Sequence, residues 1–387
     1  MNTSAHRAMI MFYLAVAIWS PLTNQAAGVQ SVVIDQQDSG DGFTPFVACG
    51  ASATSQELVA IRFHWVNGQL RSEIQQREPL GFECAPVVCH QRHRLLYVAS
   101  LQAKEEDGNK LAIFSVGSDG RLTLRDKHSM KHGSAYASFD RTGQFMLSVS
   151  YFEGHVDIYR LTKNGTSPTL TSTTFEGRDE AHSILTSPNN RFAYVPYVKD
   201  NNALFQYSFD EKSGKLLPLE PPQVEIPDGI GPRHVAFHPT RPFIFFSNEQ
   251  QLGATSCRIG EGGQLELIAV CRPGKLRPST PLAASDIAIT PDGRYLFVGV
   301  RDFGKNLLDA IHRYRVHDDG HLTHLGTVDA DAIPWGLRIS PDGHHLLVTA
   351  AHGNTLTAFE INEGNLKKRT SVKWGNMIRD IAVVVCE

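Results

Sequence analysis

A short turn phrase recurs along the second half of the chain at almost constant intervals. It consists of a Ser, Thr or His, then Pro and turn-forming residues, and it begins at Ser187, His238, Thr290 and Ser340. The steps are 51, 52 and 50 residues, and each phrase runs directly into an apolar, strand-forming stretch. A repeat of about 50 residues built from short β-runs is typical of β-propeller blades and not of helical repeats. The repeat therefore predicts an all-β propeller.

Each repeat divides into four short β-runs separated by polar turns. The fifth repeat shows the division most regularly, with runs at Arg233–Phe237, Phe243–Phe246, Ala254–Ile259 and Leu265–Val270. Weaker copies place earlier innermost strands near residues 84–89, 134–139 and 181–186. Four antiparallel strands per repeat make up one propeller blade.

The two ends of the repeat are incomplete in complementary ways. The first copy, Phe46–Cys49, starts at a second strand and lacks an innermost one, whereas the chain ends on an unpaired β-run, Ile381–Val385. Pairing the two completes a seventh blade and removes sheet edges that would otherwise be open to aggregation. We therefore expect a seven-bladed β-propeller closed by pairing of its N- and C-terminal strands.

Composition sets the domain count and excludes one class of partner. The chain has 387 residues, which one closed propeller accommodates, so a single folded domain is expected. Its formal net charge is −3, with 37 Lys and Arg against 40 Asp and Glu, and it has no long basic run. This balance lacks the positive footprint of a nucleic-acid-binding protein.

The first 27 residues are typical of a secretory signal peptide. His6 and Arg7 precede an apolar run, Ala8–Trp19, and small residues follow up to Ala27. This run is shorter than the roughly 20 residues that a membrane-spanning helix needs. We expect residues 1–27 to be removed, residues 28–387 to form the propeller domain, and the protein to be periplasmic or secreted, with no membrane association after cleavage. The alternative is an uncleaved N-terminus that anchors the protein to a membrane.

Cysteines and histidines near the second repeat have a spacing similar to that of metal sites. Cys84 and Cys89 are followed by His90 and His93, and thiolates and imidazoles are zinc ligands. These residues fall on an innermost strand and its turn, and strand residues five apart point to opposite faces. We therefore predict no metal site here. The six cysteines are compatible with disulfides in an exported protein, and the sequence leaves their pairing open.

The propeller topology brings polar residues of three successive blades to one mouth of the central channel. An innermost strand starts at the same end at which the antiparallel strand beside it finishes. Arg233 and Glu249 bracket their turn symmetrically, so we expect them to be cross-strand neighbours, about 5 Å apart at Cβ. Asp286 and Arg301 bracket the turn of the next blade in nearly the same way. His182 begins the innermost strand of the blade before.

Guanidinium groups, carboxylates and an imidazole on one rim suit acid–base chemistry on an anionic substrate. Arginine binds carboxylate, phosphate or a developing oxyanion in a bidentate manner. Histidine and glutamate side chains act as general acids and bases. The alternative is that these arginines and carboxylates form ion pairs near the channel that have only a structural role. For any single residue this explanation is about as good.

The phrases that carry these residues resemble those of the seven-bladed β-propeller lactonases. This family includes the bacterial propeller-type 6-phosphogluconolactonase and the fungal carboxy-cis,cis-muconate cyclase. The matching segments are Gly231–Pro239, Asn248-Glu249, Ala181–Ser183, Asp286–Tyr295 and Val300-Arg301. The resemblance implies a lactone hydrolase that acts on a small-molecule lactone or sugar acid and uses no metal or other cofactor.

The resemblance also implies roles for particular residues. In the cyclase branch of the family the catalytic set is a His, an Arg, a Glu and a second Arg, and by motif these fall on His182, Arg233, Glu249 and Arg301. Glu249 or His182 would then move a proton or activate water. The two arginines would hold a substrate carboxylate or phosphate and stabilise charge on the lactone oxygen. Apart from the resemblance, we expect four further residues to bind substrate, namely His234, Asp286, Trp335 and Tyr151. For the two aromatic residues, packing between blades is an alternative that explains either one about as well.

One departure from the family pattern bears on the substrate. Phosphogluconolactonases of this type carry Pro-Arg-Gly at the innermost strand of the seventh blade, where this chain has Pro334-Trp335-Gly336. An aromatic wall thus replaces an anion-binding group, which makes a phosphorylated lactone a less secure expectation. The competing hypothesis is a non-catalytic exported propeller that binds a sugar acid, peptide or protein on the same face.

Overall fold

The computed structural model describes residues 43–102, 108, 110–274, 281–304 and 307–386. Over these residues the chain forms 28 strands in seven four-stranded antiparallel sheets. Six sheets contain four consecutive strands, and the seventh joins the last strand to the first three. The predicted seven-bladed propeller is therefore confirmed, including its closure by the terminal strands.

Each blade runs from an innermost strand at the channel to an outermost strand at the surface. Blade 1 comprises β28 (Ile378–Val385), β1 (Phe46–Ser52), β2 (Glu57–Val66) and β3 (Gln69–Pro79). Blade 2 comprises β4 (Cys84–His90), β5 (Leu95–Ser100), β6 (Leu111–Val116) and β7 (Leu122–His128). Blade 3 comprises β8 (Tyr136–Phe139), β9 (Phe145–Val149), β10 (His155–Arg160) and β11 (Thr169–Phe175). Blade 4 comprises β12 (Leu185–Thr186), β13 (Phe192–Tyr197), β14 (Ala203–Asp210) and β15 (Lys215–Gln223).

The last three blades continue the series. Blade 5 comprises β16 (Pro232–Phe237), β17 (Phe243–Asn248), β18 (Ala254–Ile259) and β19 (Leu265–Cys271). Blade 6 comprises β20 (Leu282–Ile289), β21 (Tyr295–Asp302), β22 (Ala310–Val316) and β23 (Leu322–Asp329). Blade 7 comprises β24 (Pro334–Ile339), β25 (His345–Ala350), β26 (Thr355–Asn362) and β27 (Asn365–Lys373). Short 3₁₀ turns lie at Gln91–His93 and Lys199–Asn201.

The N-terminal segment predicted as a signal peptide, residues 1–27, lies outside the described residues. Within the part of the chain that the structure describes, no helix has the length and apolar character needed to cross a membrane.

The hydrophobic core lies between neighbouring blades. One cluster joins Phe46 and Phe63 of blade 1 to Leu347 and Leu356 of blade 7, and all four side chains are fully buried. Every residue of β21, a second strand, is buried, whereas the outermost strand β27 has only half-buried and exposed residues. The outer edges of the sheets therefore face solvent with polar side chains.

The C-terminal strand supplies the innermost strand of blade 1. β28 pairs with β1 from Val385 opposite Phe46 to Ile378 opposite Ser52. The Cys386 N–H then donates to the carbonyl oxygen immediately before β1, at 2.9 Å. The ring is thus closed by main-chain hydrogen bonds between the two ends of the domain.

The recurring turn phrase is built by side chains that bond to their own turn. In blade 6 the Thr290 hydroxyl donates to Asp292 at 2.5 Å, and the Asp292 carboxylate accepts from the Arg294 N–H at 3.0 Å. Gly293 has φ = +74°, in the left-handed region that favours glycine. The turn that begins at Ser340 repeats both bonds. This local chemistry explains why the phrase recurs from blade to blade.

A β-bulge interrupts the innermost strand near its start in several blades. In blade 5 the register shifts between Pro232 and Val235, so that Arg233 and His234 together oppose one residue of β17. The same shift occurs in β4, β20, β24 and β28. Bulges re-aim side chains and are common beside active sites.

The bulges change two details of the sequence prediction. Cys84 and Cys89 do not point to opposite faces, because the extra residue in β4 brings both side chains against one hydrophobic cluster. In blade 4 the innermost strand predicted at 181–186 is reduced to β12, with an isolated bridge from Ala181 to Tyr197 ahead of it. All six cysteines are thiols in this structure.

Candidate active site

Glu249 lies at the centre of a cluster of four polar side chains at one mouth of the channel. Its Oε2 atom is 2.7 Å from Arg233 Nε and 3.2 Å from Arg301 Nη2. The Nε2 atom of His182 lies 4.0 Å from the same oxygen. The structure therefore brings together, from blades 4, 5 and 6, the four residues proposed as catalytic from the sequence.

The sequence predicts that Arg233 lies directly opposite Glu249 on the neighbouring strand, but the strand register does not pair these two residues. β17 ends at Asn248, and the Glu249 N–H donates to the Gly231 carbonyl at 2.7 Å, just beyond the ladder. Arg233 lies in the bulge, and its side chain reaches Glu249 from there. The predicted contact forms, but through a bulge and a turn instead of through regular strand pairing.

Backbone contacts with neighbouring strands hold the two arginines. The Arg301 Nη2 atom donates to the Ala284 carbonyl at 2.7 Å. The Ser183 hydroxyl of blade 4 donates to the Arg233 carbonyl at 2.8 Å. Arg233 is 1% exposed and Arg301 is 3% exposed. Side chains that are already ordered lose little further conformational freedom when they bind a ligand.

Burial and mutual charge set the protonation states of the cluster. Burial raises the pKa of Glu249, but Arg301 and Arg233 outweigh this effect, so the pKa is lowered. Burial lowers the pKa of Arg301 to about 10 and also lowers that of Arg233. Burial, together with Arg233, holds the pKa of His182 well below its usual value. At neutral pH the cluster has two guanidinium cations, one carboxylate and a neutral imidazole, which leaves one positive charge to attract an anion.

The residue after Arg233, His234, is held by a buried carboxylate. Its Nδ1 atom lies 2.7 Å from Asp286 Oδ1. Asp286 also accepts from the N–H groups of Ile287 and Leu337, both at 2.9 Å, and from the Arg338 side chain at 2.5 Å. Asp286 is only 3% exposed, and its oxygens already accept from these neighbours. These contacts fix the orientation of Asp286 and of His234, and the substrate-binding role expected for Asp286 from the sequence stays a prediction.

Two aromatic side chains, from blades 3 and 7, flank the cluster. The Tyr151 ring packs edge to face with His182, with ring centroids 5.4 Å apart. The guanidinium carbons of Arg301 and Arg233 lie 4.6 and 5.9 Å from the centre of the Trp335 ring. Both rings thus contact proposed catalytic side chains, where they can wall a bound ligand.

Arg379 is a charged neighbour of the site that the sequence reasoning did not identify. It lies in the bulge of β28, and its guanidinium carbon is 5.4 Å from the centre of the Trp335 ring. Its Nη1 atom lies 3.8 Å from Glu83 Oε1. It occupies the same repeat position as Arg233 in blade 5. The repeat position of Arg379 therefore indicated a residue at the rim. It was missed because β28 is the last strand of the chain, and no recurring turn phrase follows it from which the position could be counted.

Arg338 is a second such residue. It links two carboxylates, with Asp286 at 2.5 Å and Asp380 at 2.6 Å. The corresponding residues of blades 5 and 6 are Ala236 and Ala288. The repeat therefore gives no indication that this position carries a charge.

One group of side chains among the described residues is close enough to share a metal ion. His132, Glu153 and His155 have potential ligand atoms within 4.8 Å of one another. The two imidazole rings, however, are stacked at 3.9 Å with an interplanar angle of 8°. Imidazole lone pairs lie in the ring plane, so two stacked parallel rings do not converge on one ion. We assign no metal to this group.

Comparison with known proteins places the chain in a family. The family described as "Lactonase, 7-bladed beta-propeller" matches residues 46–378. A 6-phosphogluconolactonase from Cronobacter sakazakii is 30% identical over 279 residues, which cover 71% of this chain and 80% of that protein.

Solved structures share the fold. The Pseudomonas aeruginosa periplasmic gluconolactonase PpgL superposes with a TM-score of 0.75 at 18% identity, covering 89% of this chain and 100% of that one. A protein from Lactobacillus plantarum has a TM-score of 0.75 at 17% identity, covering 88% and 100%. At these identities the likeness concerns the fold alone. On the family match and the Cronobacter relative, the chain belongs to the seven-bladed β-propeller lactonase family.

Proposed function

We propose that this lactonase opens the ring of a sugar lactone or carboxylated lactone at the cluster formed by His182, Arg233, Glu249 and Arg301. The observation that carries the proposal is the net positive charge of this buried cluster, in which two guanidinium groups share one carboxylate. The Nη1 atom of Arg233 also has no hydrogen-bond partner among the described residues. A buried guanidinium with an unused N–H is suited to hold a carboxylate or a developing oxyanion.

In the proposed reaction, water adds to the lactone carbonyl carbon and the ring C–O bond then breaks. Arg233 and Arg301 stabilise the negative charge that forms on the carbonyl oxygen. The electron pair of the broken bond stays on the ring oxygen, which takes a proton, so the product is a hydroxy acid. His182 relays to this oxygen the proton that the attacking water releases, and the Glu249 carboxylate, 4.0 Å away, stabilises the imidazole as it exchanges protons. Glu249 is the weaker proton-transfer group because the two arginines keep it ionised.

The names of related proteins support a sugar lactone as substrate. The Cronobacter sakazakii relative is named 6-phosphogluconolactonase, and the Pseudomonas aeruginosa neighbour is named a periplasmic gluconolactonase. Trp335 stands at the blade 7 position where the phosphogluconolactonase pattern has an arginine. We therefore propose that a phosphate group is not required for recognition.

We also propose that the protein is exported, with residues 1–27 as a signal peptide. The apolar run Ala8–Trp19 and the periplasmic location named for the Pseudomonas aeruginosa neighbour support this. Cell fractionation followed by N-terminal sequencing tests it. An N-terminus near residue 28 in the exported fraction is expected, whereas a cytoplasmic protein that retains Met1 would contradict the proposal.

Hydrolysis of a panel of γ- and δ-lactones by the purified protein tests the function. The panel includes gluconolactone with and without its 6-phosphate. We expect turnover above the spontaneous rate, and a loss on the order of 10²–10³-fold in Glu249→Gln and Arg233→Ala, because each removes a charge from the cluster. Arg241→Ala is the matched control, since Arg241 pairs with Asp318 on the surface and should be dispensable. No turnover of any lactone would instead favour the non-catalytic binding propeller.

A further inference from the structure

Several buried polar atoms at the mouth have no hydrogen-bond partner among the residues that the structure describes. Arg233 Nε and Glu249 Oε2 are two of them, although they lie 2.7 Å apart, and the others include His234 Nε2, His182 Nδ1 and Arg233 Nη1. The rings of His182 and His234 pack edge to face with centroids 5.1 Å apart, and Arg233 precedes His234 in the same bulge. Buried polar atoms without partners are rare in native proteins. Those of His234, His182 and Arg233, whose side chains lie together at the mouth, indicate a place for a small polar ligand.

The tautomer of His234 follows from its contact with Asp286. Burial raises the pKa of Asp286, but Arg338 and His234 outweigh it, so the pKa is lowered and the carboxylate is ionised. An ionised carboxylate only accepts hydrogen bonds, so the proton in the 2.7 Å contact lies on His234 Nδ1. Burial lowers the pKa of His234 to about 4, which keeps the ring neutral at neutral pH. Its Nε2 atom therefore presents a lone pair.

His182 presents a second lone pair. The Glu249 carboxylate lies 4.0 Å from its Nε2 atom, which favours a proton on Nε2. The neutral ring then has its lone pair on the unpartnered Nδ1 atom. With the Arg233 N–H as a donor, the three atoms offer two acceptors and one donor. This set complements one water molecule, which donates two hydrogen bonds and accepts others.

We propose that His234, His182 and Arg233 bind the hydrolytic water, with His234 as the general base and Asp286 as a positioning residue that fixes its tautomer. The inference rests on the proposed lactone hydrolysis and adds a catalytic residue to it. Nε2 of His234 takes a proton from water as the water oxygen bonds to the carbonyl carbon. As the ring C–O bond breaks, the proton on His234 passes to His182 Nδ1 while the Nε2 proton of His182 passes to the ring oxygen, so both rings end neutral. Proton exchange with solvent then returns the His182 proton from Nδ1 to Nε2, which restores the starting state.

Two substitutions separate this role from a structural one. In His234→Asn the side-chain amide can still donate to Asp286, but nothing replaces Nε2. In Asp286→Asn the amide donates to His234 Nδ1 and moves the ring proton to Nε2, which abolishes the lone pair. We expect kcat to fall by on the order of 10²–10⁴-fold in both, as for the carboxylate of a Ser-His-Asp triad, while KM changes less than about threefold.

The matched control is Asp157→Asn. Asp157 is a buried carboxylate that lies 2.8 Å from His132 Nδ1 in blade 3, so it reproduces the Asp286 contact away from the site. Its substitution should leave kcat within about threefold of the wild-type value. If His234→Asn retains kcat to the same extent, the inference is wrong.

The pH profile and the tautomer provide two further measurements. The groups that face His234 are Arg233, Asp286, Arg338, His182 and Tyr136. A base must be unprotonated, so wild-type kcat/KM should fall as the pH decreases through the pKa of His234, about 4, and His234→Asn should lack this limb.

¹⁵N spectra of histidine-labelled protein report the tautomer without any turnover. A proton on His234 Nδ1 is expected, and a proton on Nε2 would overturn the inference. If the wild-type protein hydrolyses no lactone, the proposed function fails, and the spectra alone decide the tautomer on which this inference depends.

Discussion

Trp335 is the single residue whose surroundings bear most directly on specificity. Its ring centre lies 4.6, 5.4 and 5.9 Å from the guanidinium carbons of Arg301, Arg379 and Arg233. A guanidinium that stacks on an indole ring is stabilised without using its N–H groups. The ring can therefore order the arginines while it leaves their donors available to a substrate anion.

Trp335→Leu should weaken catalysis through this packing. A cation–π contact contributes about 0.5–2 kcal/mol, which corresponds to a roughly 2- to 30-fold decrease in kcat/KM on the best lactone of the panel. Phe303→Leu is the control, because Phe303 lies 5.3 Å from the same Arg301 guanidinium but is 49% exposed. An equal loss in both variants, or none in Trp335→Leu, would show that the indole does not order the site.

At the scale of single strands, the bulge is the feature that makes the site. The first of the two bulge residues has a different side chain in each of four blades. It is Arg233 in blade 5, Ser285 in blade 6, Trp335 in blade 7 and Arg379 in blade 1. The second bulge position also differs, and in blade 7 it is Gly336, where the backbone of β28 passes close by. One fold element thus supplies different chemistry around the channel without a change in blade architecture.

Gly336→Ala should destabilise the junction between blade 7 and blade 1. A Cβ atom at this position would lie 2.9 Å from the Arg379 carbonyl oxygen and 3.2 Å from the Asp380 Cα atom. Because both are main-chain atoms, β28 must move, and we expect a loss of about 1–3 kcal/mol in the free energy of unfolding. Urea denaturation measures it. Gly274→Ala, which would meet no atom within 4 Å, is the control, and equal stability of the two variants would contradict the close packing.

At the scale of the whole molecule, the site depends on how the blades are joined. Hydroxyl groups link innermost strands of adjacent blades, as Ser183 does to Arg233 and Ser285 to Pro334. Arg338 of blade 7 then connects Asp286 of blade 6 to the C-terminal strand. The rim therefore requires a closed ring, and closure requires β28.

Removal of residues 378–387 should prevent stable folding. The strand buries Ile378, Ile381 and Val384, and each such side chain contributes about 1.5–3 kcal/mol. Their sum is comparable to the net stability of a typical protein, about 5–15 kcal/mol. Circular dichroism and size-exclusion chromatography should show an unfolded or aggregated chain.

A circular permutant provides the control for this truncation. It joins residue 386 to residue 43 with a short linker, since Cys386 and Pro45 are hydrogen-bonded, and opens the chain at the exposed Asp318 turn. It should fold, because every strand is retained. A truncated chain that remains folded and soluble would show that β28 is not needed for closure.

The blade repeat, the four strands per blade and the closure by terminal strands were all readable from the sequence. They depend on turn chemistry and on the alternation of apolar runs, which are local and recur about every 50 residues. The choice of four catalytic residues came from the family resemblance and stays a prediction. Only the tertiary structure decided the bulges, the tautomer-fixing contact of Asp286 with His234, and the approach of Arg379 and Arg338 to the rim. These depend on how neighbouring sheets pack and shift in register, and such contacts between residues far apart in the chain leave no periodic pattern in it.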